Sequence, residues 1–164
     1  MSDKIYNVLF VCTGNSARSI LAEGLLNHLG KGRFRAHSAG SRPAGVVNPF
    51  ALTTLEQLHL PTDSCRSKSW EEFAAPDAPP MEFVFTGCDN AAGEVCPVWP
   101  GQPTTAHWGV PDPSAFDGPD GRKLQMFHDT ALTLKRRIEL MLALPMQALD
   151  AMSLQQAVRD IGQH

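Results

Sequence analysis

Residues 8–29, VLFVCTGNSARSILAEGLLNHL, constrain the fold more than any other stretch of this chain. A short apolar and β-branched run ends at Cys12, and a loop of small and polar residues follows. From Ala17 to Leu29 a helical period takes over, with Ile20, Leu21, Leu25 and Leu29 on one face and Gly30 as its stop. A strand with no polar face predicts burial on both sides, the environment of a parallel sheet. A buried strand, a tight loop and a helix in that order open a βαβ unit.

The rest of the chain continues the alternation. Arg33–Gly40 reads as a strand, and Asn48–Pro49 as the N-cap and first residue of a helix through FALTTLEQLHL. Ser67–Phe73 reads as a short capped helix, Met81–Cys88 and Thr104–Val110 as strands, and PDPSAFDGPDG as a turn-rich connection. Leu124, Phe127, Ala131, Leu134, Ile138 and Met141 recur at helical spacing and predict a long helix; Leu149–Ile161 predicts an additional one. The expected fold is therefore α/β, a parallel twisted sheet flanked by helices on both faces. In such sheets ligands bind beyond the carboxyl ends of the strands, so Cys12, Cys88 and the Asp112 turn are expected at one edge.

The chain has 164 residues, 43% of them hydrophobic, which suits a single domain over 1–164 with a core that needs no disulfide or metal. Net charge is −3, with no basic block, so neither nucleic acid nor an anionic membrane is an expected partner. The first apolar run, Val8 to Cys12, is shorter than the roughly 7–15 residues of a secretory core. No apolar run approaches the roughly 20 residues of a membrane span. The expected location is the cytoplasm, where Cys12, Cys65, Cys88 and Cys96 are mostly thiols.

The loop CTGNSARS is the strongest chemical signal. Between a strand and a helix, the backbone N–H groups of Thr13, Gly14, Asn15, Ser16, Ala17, Arg18 and Ser19 can turn inward as an anion cradle, aided by the helix N-terminus. Arg18 adds a planar pair of donors suited to a tetrahedral oxyanion. The same field favours the thiolate of Cys12, and Ser19 is placed to donate a hydrogen bond to its sulfur. The competing reading is a buried cysteine with a surface arginine; position between strand and helix favours the functional one.

VLFVCTGNSARSILAEGLL, SAG at Ser38–Gly40 and PDP at Pro111–Pro113 resemble the low-molecular-weight protein tyrosine phosphatases. FTGCDNAAGEVCPVWPG and AHWGVPDP resemble more closely the arsenate reductases that share their fold. The resemblance spans about residues 5–143, leaving 145–164 as a C-terminal helical extension. It implies a four-stranded parallel sheet and an oxyanion loop from Cys12 to Ser19.

The resemblance also assigns Asp112 the general-acid role, although an Asp-Pro pair by itself reads as an ordinary turn. Phosphatases of this fold usually carry an aromatic residue after that pair; here Ser114 and Ala115 follow. It implies a disulfide relay in which Cys88 attacks Cys12 and Cys96 then attacks Cys88, with thioredoxin or a glutathione/glutaredoxin system as final reductant. From the residues alone, two inert cysteines and a zinc site of Cys88, Cys96 and His107 remain alternatives. Some of these reductases bind potassium beside the oxyanion loop, at positions matching Asn15, Ser38, Ser67 and Ser69. This sequence lacks the carboxylate among them, so no metal or cofactor is expected, and Asn15 and Ser38 are expected to brace the loop.

Cys65 is expected to be structural, and His107 to be a packed, hydrogen-bonded strand residue. Trp99, Trp108 and Phe116 either wall the pocket or simply pack. The function expected is arsenate reduction through Cys12, Arg18, Asp112, Cys88 and Cys96. The alternative is a phosphomonoester hydrolase using only Cys12, Arg18 and Asp112. A non-enzymatic oxyanion or metalloid sensor is a third reading, but a sensor has no use for a general acid.

Overall fold

A computed structural model of the chain describes residues 5–75, 77–87, 103–146 and 148–163. Its sheet is built from β1 (Tyr6–Cys12), β2 (Phe34–Gly40), β3 (Phe83–Thr86) and β4 (Thr104–His107), all parallel, in the order β2-β1-β3-β4. The chain leaves central β1 toward β2 on one side and later returns to β3 on the other. The gap beyond the carboxyl end of β1 is therefore the topological switch point, where open α/β sheets bind ligands.

Alternation along β1 divides the core between two faces. Val8 and Phe10 join the larger cluster with Ile20, Leu21, Leu25, Phe83, Phe85, Trp108 and Ile138. Leu9 and Val11 join Ala39 and Val84 on the other face, covered by Trp70, Phe73 and Met81. The helices are α1 (Arg18–Leu29), α2 (Pro49–Gln57), the short α3 (Glu71–Ala74), α4 (Asp120–Leu142) and α5 (Ala151–Ile161). Helix α1 packs on β1, β2 and α4, and α3 follows Trp70 on the opposite face.

Local signals place most boundaries within a few residues of expectation. Gly30 closes α1 by donating its N–H to the Leu26 carbonyl (2.7 Å), and Asn48 caps α2 by accepting from Phe50 N (2.9 Å). The exception is Ser67–Phe73. Ser67 to Ser69 are not helical: they run beside the end of β2, where Ser69 forms a parallel bridge with Gly40, and only Glu71–Ala74 is helix. Backbone pairing to the sheet outcompetes the local capping pattern there. Helix α5 docks on β4, where the Gln155 carboxamide pairs with both backbone polar groups of Thr105 and so covers part of that side of the strand.

Candidate active site

Cys12 ends β1 at 2% exposure, and the loop after it is moulded by the segment that follows β2. The carbonyl oxygens of Cys12, Thr13, Gly14 and Ser16 accept hydrogen bonds from the N–H groups of Ser41, Arg42, Ala44 and Asn48 (2.9–3.3 Å). In a planar trans peptide the N–H lies on the edge opposite the carbonyl, so tying these oxygens outward leaves the donor edges for an anion. Helix α1 adds its own donors: its N-cap, Ala17, offers no side-chain cap, and its first turn carries no acidic residue.

Gly40 makes this close approach possible. A Cβ there would lie 2.5 Å from the Thr13 carbonyl oxygen and 3.0 Å from Asn15 N. Asn15 takes a left-handed backbone (φ 47°), a conformation that asparagine tolerates better than most residues. Its buried side chain fixes the turn from inside. Oδ1 accepts from Lys68 N (2.8 Å), and Nδ2 donates to Ser19 Oγ (2.8 Å). Because Ser19 Oγ accepts from Asn15, its own proton is left for Cys12 Sγ, 2.9 Å away. The expected Ser19–Cys12 contact is therefore present.

Arg18 is 4% exposed, and its Nη1 donates to the carbonyl oxygens of Gly87 (3.1 Å) and Val110 (3.3 Å), one beyond β3 and the other beyond β4. These bonds lock the guanidinium plane. Nη2 lies 3.7 Å from Asp112 Oδ2. The other carboxylate oxygen, Oδ1, accepts from both Ser114 N (3.0 Å) and Ser114 Oγ (2.7 Å), which sets the orientation of the group. Cys12, Thr13, Gly14, Ser16, Ala17, Arg18 and Asp112 together line a cavity of about 240 Å³. A nucleophilic sulfur, an anion cradle, a fixed cation and a carboxyl group thus share one hollow. That is the equipment for attack on a tetrahedral oxyanion with protonation of the oxygen that leaves.

The braces differ from the sequence expectation. Ser67 Oγ donates to the Gly14 carbonyl (3.1 Å) and accepts from Gly45 N (3.0 Å), while Ser69 Oγ accepts from Glu71 N (3.2 Å). Ser38 bonds none of the loop residues directly: its hydroxyl donates to Glu23 Oε1 (2.9 Å) and accepts from Lys68 Nζ (3.5 Å). Of the four positions matching the potassium set, Ser38 faces the Lys68 ammonium, which also donates to the Arg66 carbonyl (3.0 Å), while Asn15, Ser67 and Ser69 hydrogen-bond to backbone groups or to Ser19. Burial raises the Glu23 carboxyl above its ordinary range, opposed by the Lys68 charge. Burial likewise lowers the Lys68 ammonium, opposed by Glu23. Lys68, Glu23 and Ser114 were not singled out by sequence. Only Ser114 carried a local signal, a hydroxyl directly after the Asp-Pro pair and two residues beyond Asp112.

Cys88, Cys96 and Trp99 lie outside the described residues. Cys65 is half-buried against the main core, and burial, then the Glu23 charge, raises its thiol above the ordinary range, which agrees with a structural role. Trp108 is core: it stacks on Phe85 (4.1 Å between ring centroids) and donates Nε1 to the Val158 carbonyl (2.9 Å). Phe116 is half-exposed beyond Asp112 and is absent from the cavity lining. His107 is hydrogen-bonded to Thr86 Oγ1 (3.0 Å), as expected, but is exposed rather than packed.

Known proteins match this architecture over most of its length. The family model for the low molecular weight phosphotyrosine protein phosphatase matches residues 7–154. An arsenate reductase of Halalkalibacterium halodurans is 31% identical over 80% of this chain and 91% of its own length. A glutaredoxin arsenate reductase of Synechocystis is 30% identical over 83% of this chain and 95% of its own. A solved structure of an arsenate reductase in the phosphate binding state superposes with a TM-score of 0.63 at 27% identity, covering 84% of this chain and 97% of the other. Among the described residues no helix is long and apolar enough to cross a membrane.

Proposed function

The chain belongs to the low molecular weight phosphotyrosine protein phosphatase family, and on that premise we propose that it is an arsenate reductase. The observation that carries the chemistry is the shared cavity of Cys12, Arg18 and Asp112. The relatives named arsenate reductases, 30–31% identical and matched over 91–95% of their own length, favour reduction over hydrolysis.

Arsenate enters the cradle, its charge met by the loop N–H groups and Arg18. The Cys12 thiolate attacks arsenic, and Asp112 protonates the oxygen that departs as water, leaving a thiol–arsenate ester. Cys88 then attacks Cys12 Sγ. The S–As electron pair passes to arsenic, which leaves as arsenite, and a Cys12–Cys88 disulfide forms. This is the two-electron step: two thiols are oxidised and As(V) becomes As(III). Cys96 attacks Cys88, frees Cys12 and leaves Cys88–Cys96 for an external thiol donor, thioredoxin or glutathione/glutaredoxin, to reduce. The reaction is carried out in the cytoplasm, where those donors are maintained in reduced form.

The test is multi-turnover arsenite production by the reduced full-length chain, with each reductant system supplied separately and a phosphomonoester assay alongside. Turnover with either system is expected, and the productive one is the partner. Cys88→Ala should stop reduction while sparing any phosphomonoester hydrolysis. Hydrolysis without arsenite production would replace this reading with the phosphatase one, which needs only Cys12, Arg18 and Asp112.

A further inference from the structure

Lys68 is a lysine removed from solvent, 7% exposed, and the chemistry above gives its ammonium no part. Lysines are rarely buried unless paired, so the position calls for a reason. Its Nζ donates to the Arg66 carbonyl oxygen (3.0 Å) and to Ser38 Oγ (3.5 Å), and Ser38 passes its own proton toward Glu23 (2.9 Å). A carbonyl, a hydroxyl and a carboxylate in one partly desolvated place form a site for a compact monovalent cation, and the chain supplies that cation itself.

The same residue reaches the nucleophile through its backbone. Lys68 N–H donates to Asn15 Oδ1, Asn15 donates to Ser19, and Ser19 meets Cys12 Sγ. The Lys68 carbonyl accepts from Gly40 N (2.9 Å), so the segment is anchored at both ends of the peptide. Asn15, itself fully buried, holds a left-handed backbone, a state that persists while its neighbours over-determine it.

We propose that the Lys68 ammonium is a tethered replacement for a bound monovalent metal ion, a positioning residue that draws Ser38, the Arg66 carbonyl and Glu23 together and thereby holds Asn15 and the oxyanion loop in binding form. Oxyanion binding by this chain is then independent of potassium. The inference rests on the loop being the oxyanion site, and the experiment separates the two.

Inorganic phosphate affinity of the reduced full-length chain is measured by calorimetry in potassium chloride and in tetramethylammonium chloride at equal ionic strength, together with Tm in each salt. The wild type should bind equally in both. Lys68→Ala, which opens the space and leaves the oxygens, should bind at least 10-fold more weakly in tetramethylammonium and recover most of that in potassium. Lys68→Met fills the space without charge and should stay weak in both. Potassium dependence in the wild type overturns the proposal. So does a Lys68→Ala protein that binds normally in tetramethylammonium, or one that potassium does not rescue. If Lys68→Ala folds poorly, its Tm decides: a rise specific to potassium supports a vacated cation site, and equal Tm values in the two salts reject it. A wild type that binds no phosphate would sink the oxyanion-loop reading, and the Tm comparison would still judge Lys68.

Discussion

Arg18 Nη2 and Asp112 Oδ2 stand 3.7 Å apart across the mouth of the cavity, one from the start of α1 and the other from the turn after β4. The buried guanidinium is fixed by two carbonyl oxygens, whereas the carboxylate is one-third exposed and turned by Ser114. The guanidinium is thus held from the interior and the carboxylate from the solvent side, an arrangement that suits the general-acid role proposed for Asp112.

Removing the acid and loosening it should have separable effects. Asp112→Ala is expected to lower kcat for arsenate by roughly 10²–10⁴-fold, the usual worth of a general acid. Ser114→Ala keeps the acid but loses the hydroxyl donor, and a net loss of about 1 kcal/mol corresponds to roughly 5-fold in kcat. Steady-state kinetics of both variants check this; a Ser114→Ala enzyme as slow as Asp112→Ala would mean that Ser114 has a part of its own in the chemistry.

Gly40 is required by distance rather than by backbone angle. Gly40→Ala places a methyl group 2.5 Å from the Thr13 carbonyl oxygen, so the loop must move. The expected cost is about 1–3 kcal/mol of stability, as for other overpacked sites. Phosphate or arsenate affinity should fall more steeply, because the donors that move are those that bind the anion. Urea unfolding and calorimetry on one protein preparation read both quantities, and unchanged anion affinity would refute the close-packing account.

His37, paired with Asn7 Oδ1 (3.3 Å) and packed on Phe73, is held below its ordinary pKa chiefly by burial, then by the Arg35 and Lys68 charges. The unfolded chain takes up this proton near pH 6.5, before the folded chain does. Stability from this group is therefore complete above about pH 6.5 and is lost as pH falls toward the lower folded value. His37→Gln should lose less stability than the wild type between pH 7 and 5 in urea titrations; parallel losses would dismiss His37 as the source.

The C-terminal helix is expected to be part of the folded unit. A Cβ at Gly162 would overlap the His107 carbonyl oxygen and lie 3.0 Å from Trp108 Cδ1. Gly162→Ala should cost about 1–3 kcal/mol, lowering Tm by roughly 2–4 °C per kcal/mol at this chain length. A scan that finds no change in Tm would show that α5 does not rest on β4 in solution.

By itself the sequence determined the parts whose causes are local. The Val8–Cys12 run, the small-residue loop, the α1 period and the Asn48–Pro49 cap each specify their structure through neighbours within a turn or a strand length. That Cys12, Arg18 and Asp112 share one cavity was legible for the same reason, since Cys12 ends a strand, Arg18 opens the helix after it and Asp112 lies in the turn after another strand. Tertiary structure alone decided the support. Ser67–Ser69 abandon a helix-like pattern to bridge Gly40, and Lys68 meets Ser38 and Asn15 across sequence separations of 30 and 53 residues. No local pattern reveals that a lysine will be buried, because the oxygens that compensate its charge come from β2 and α1, and folding alone brings them together.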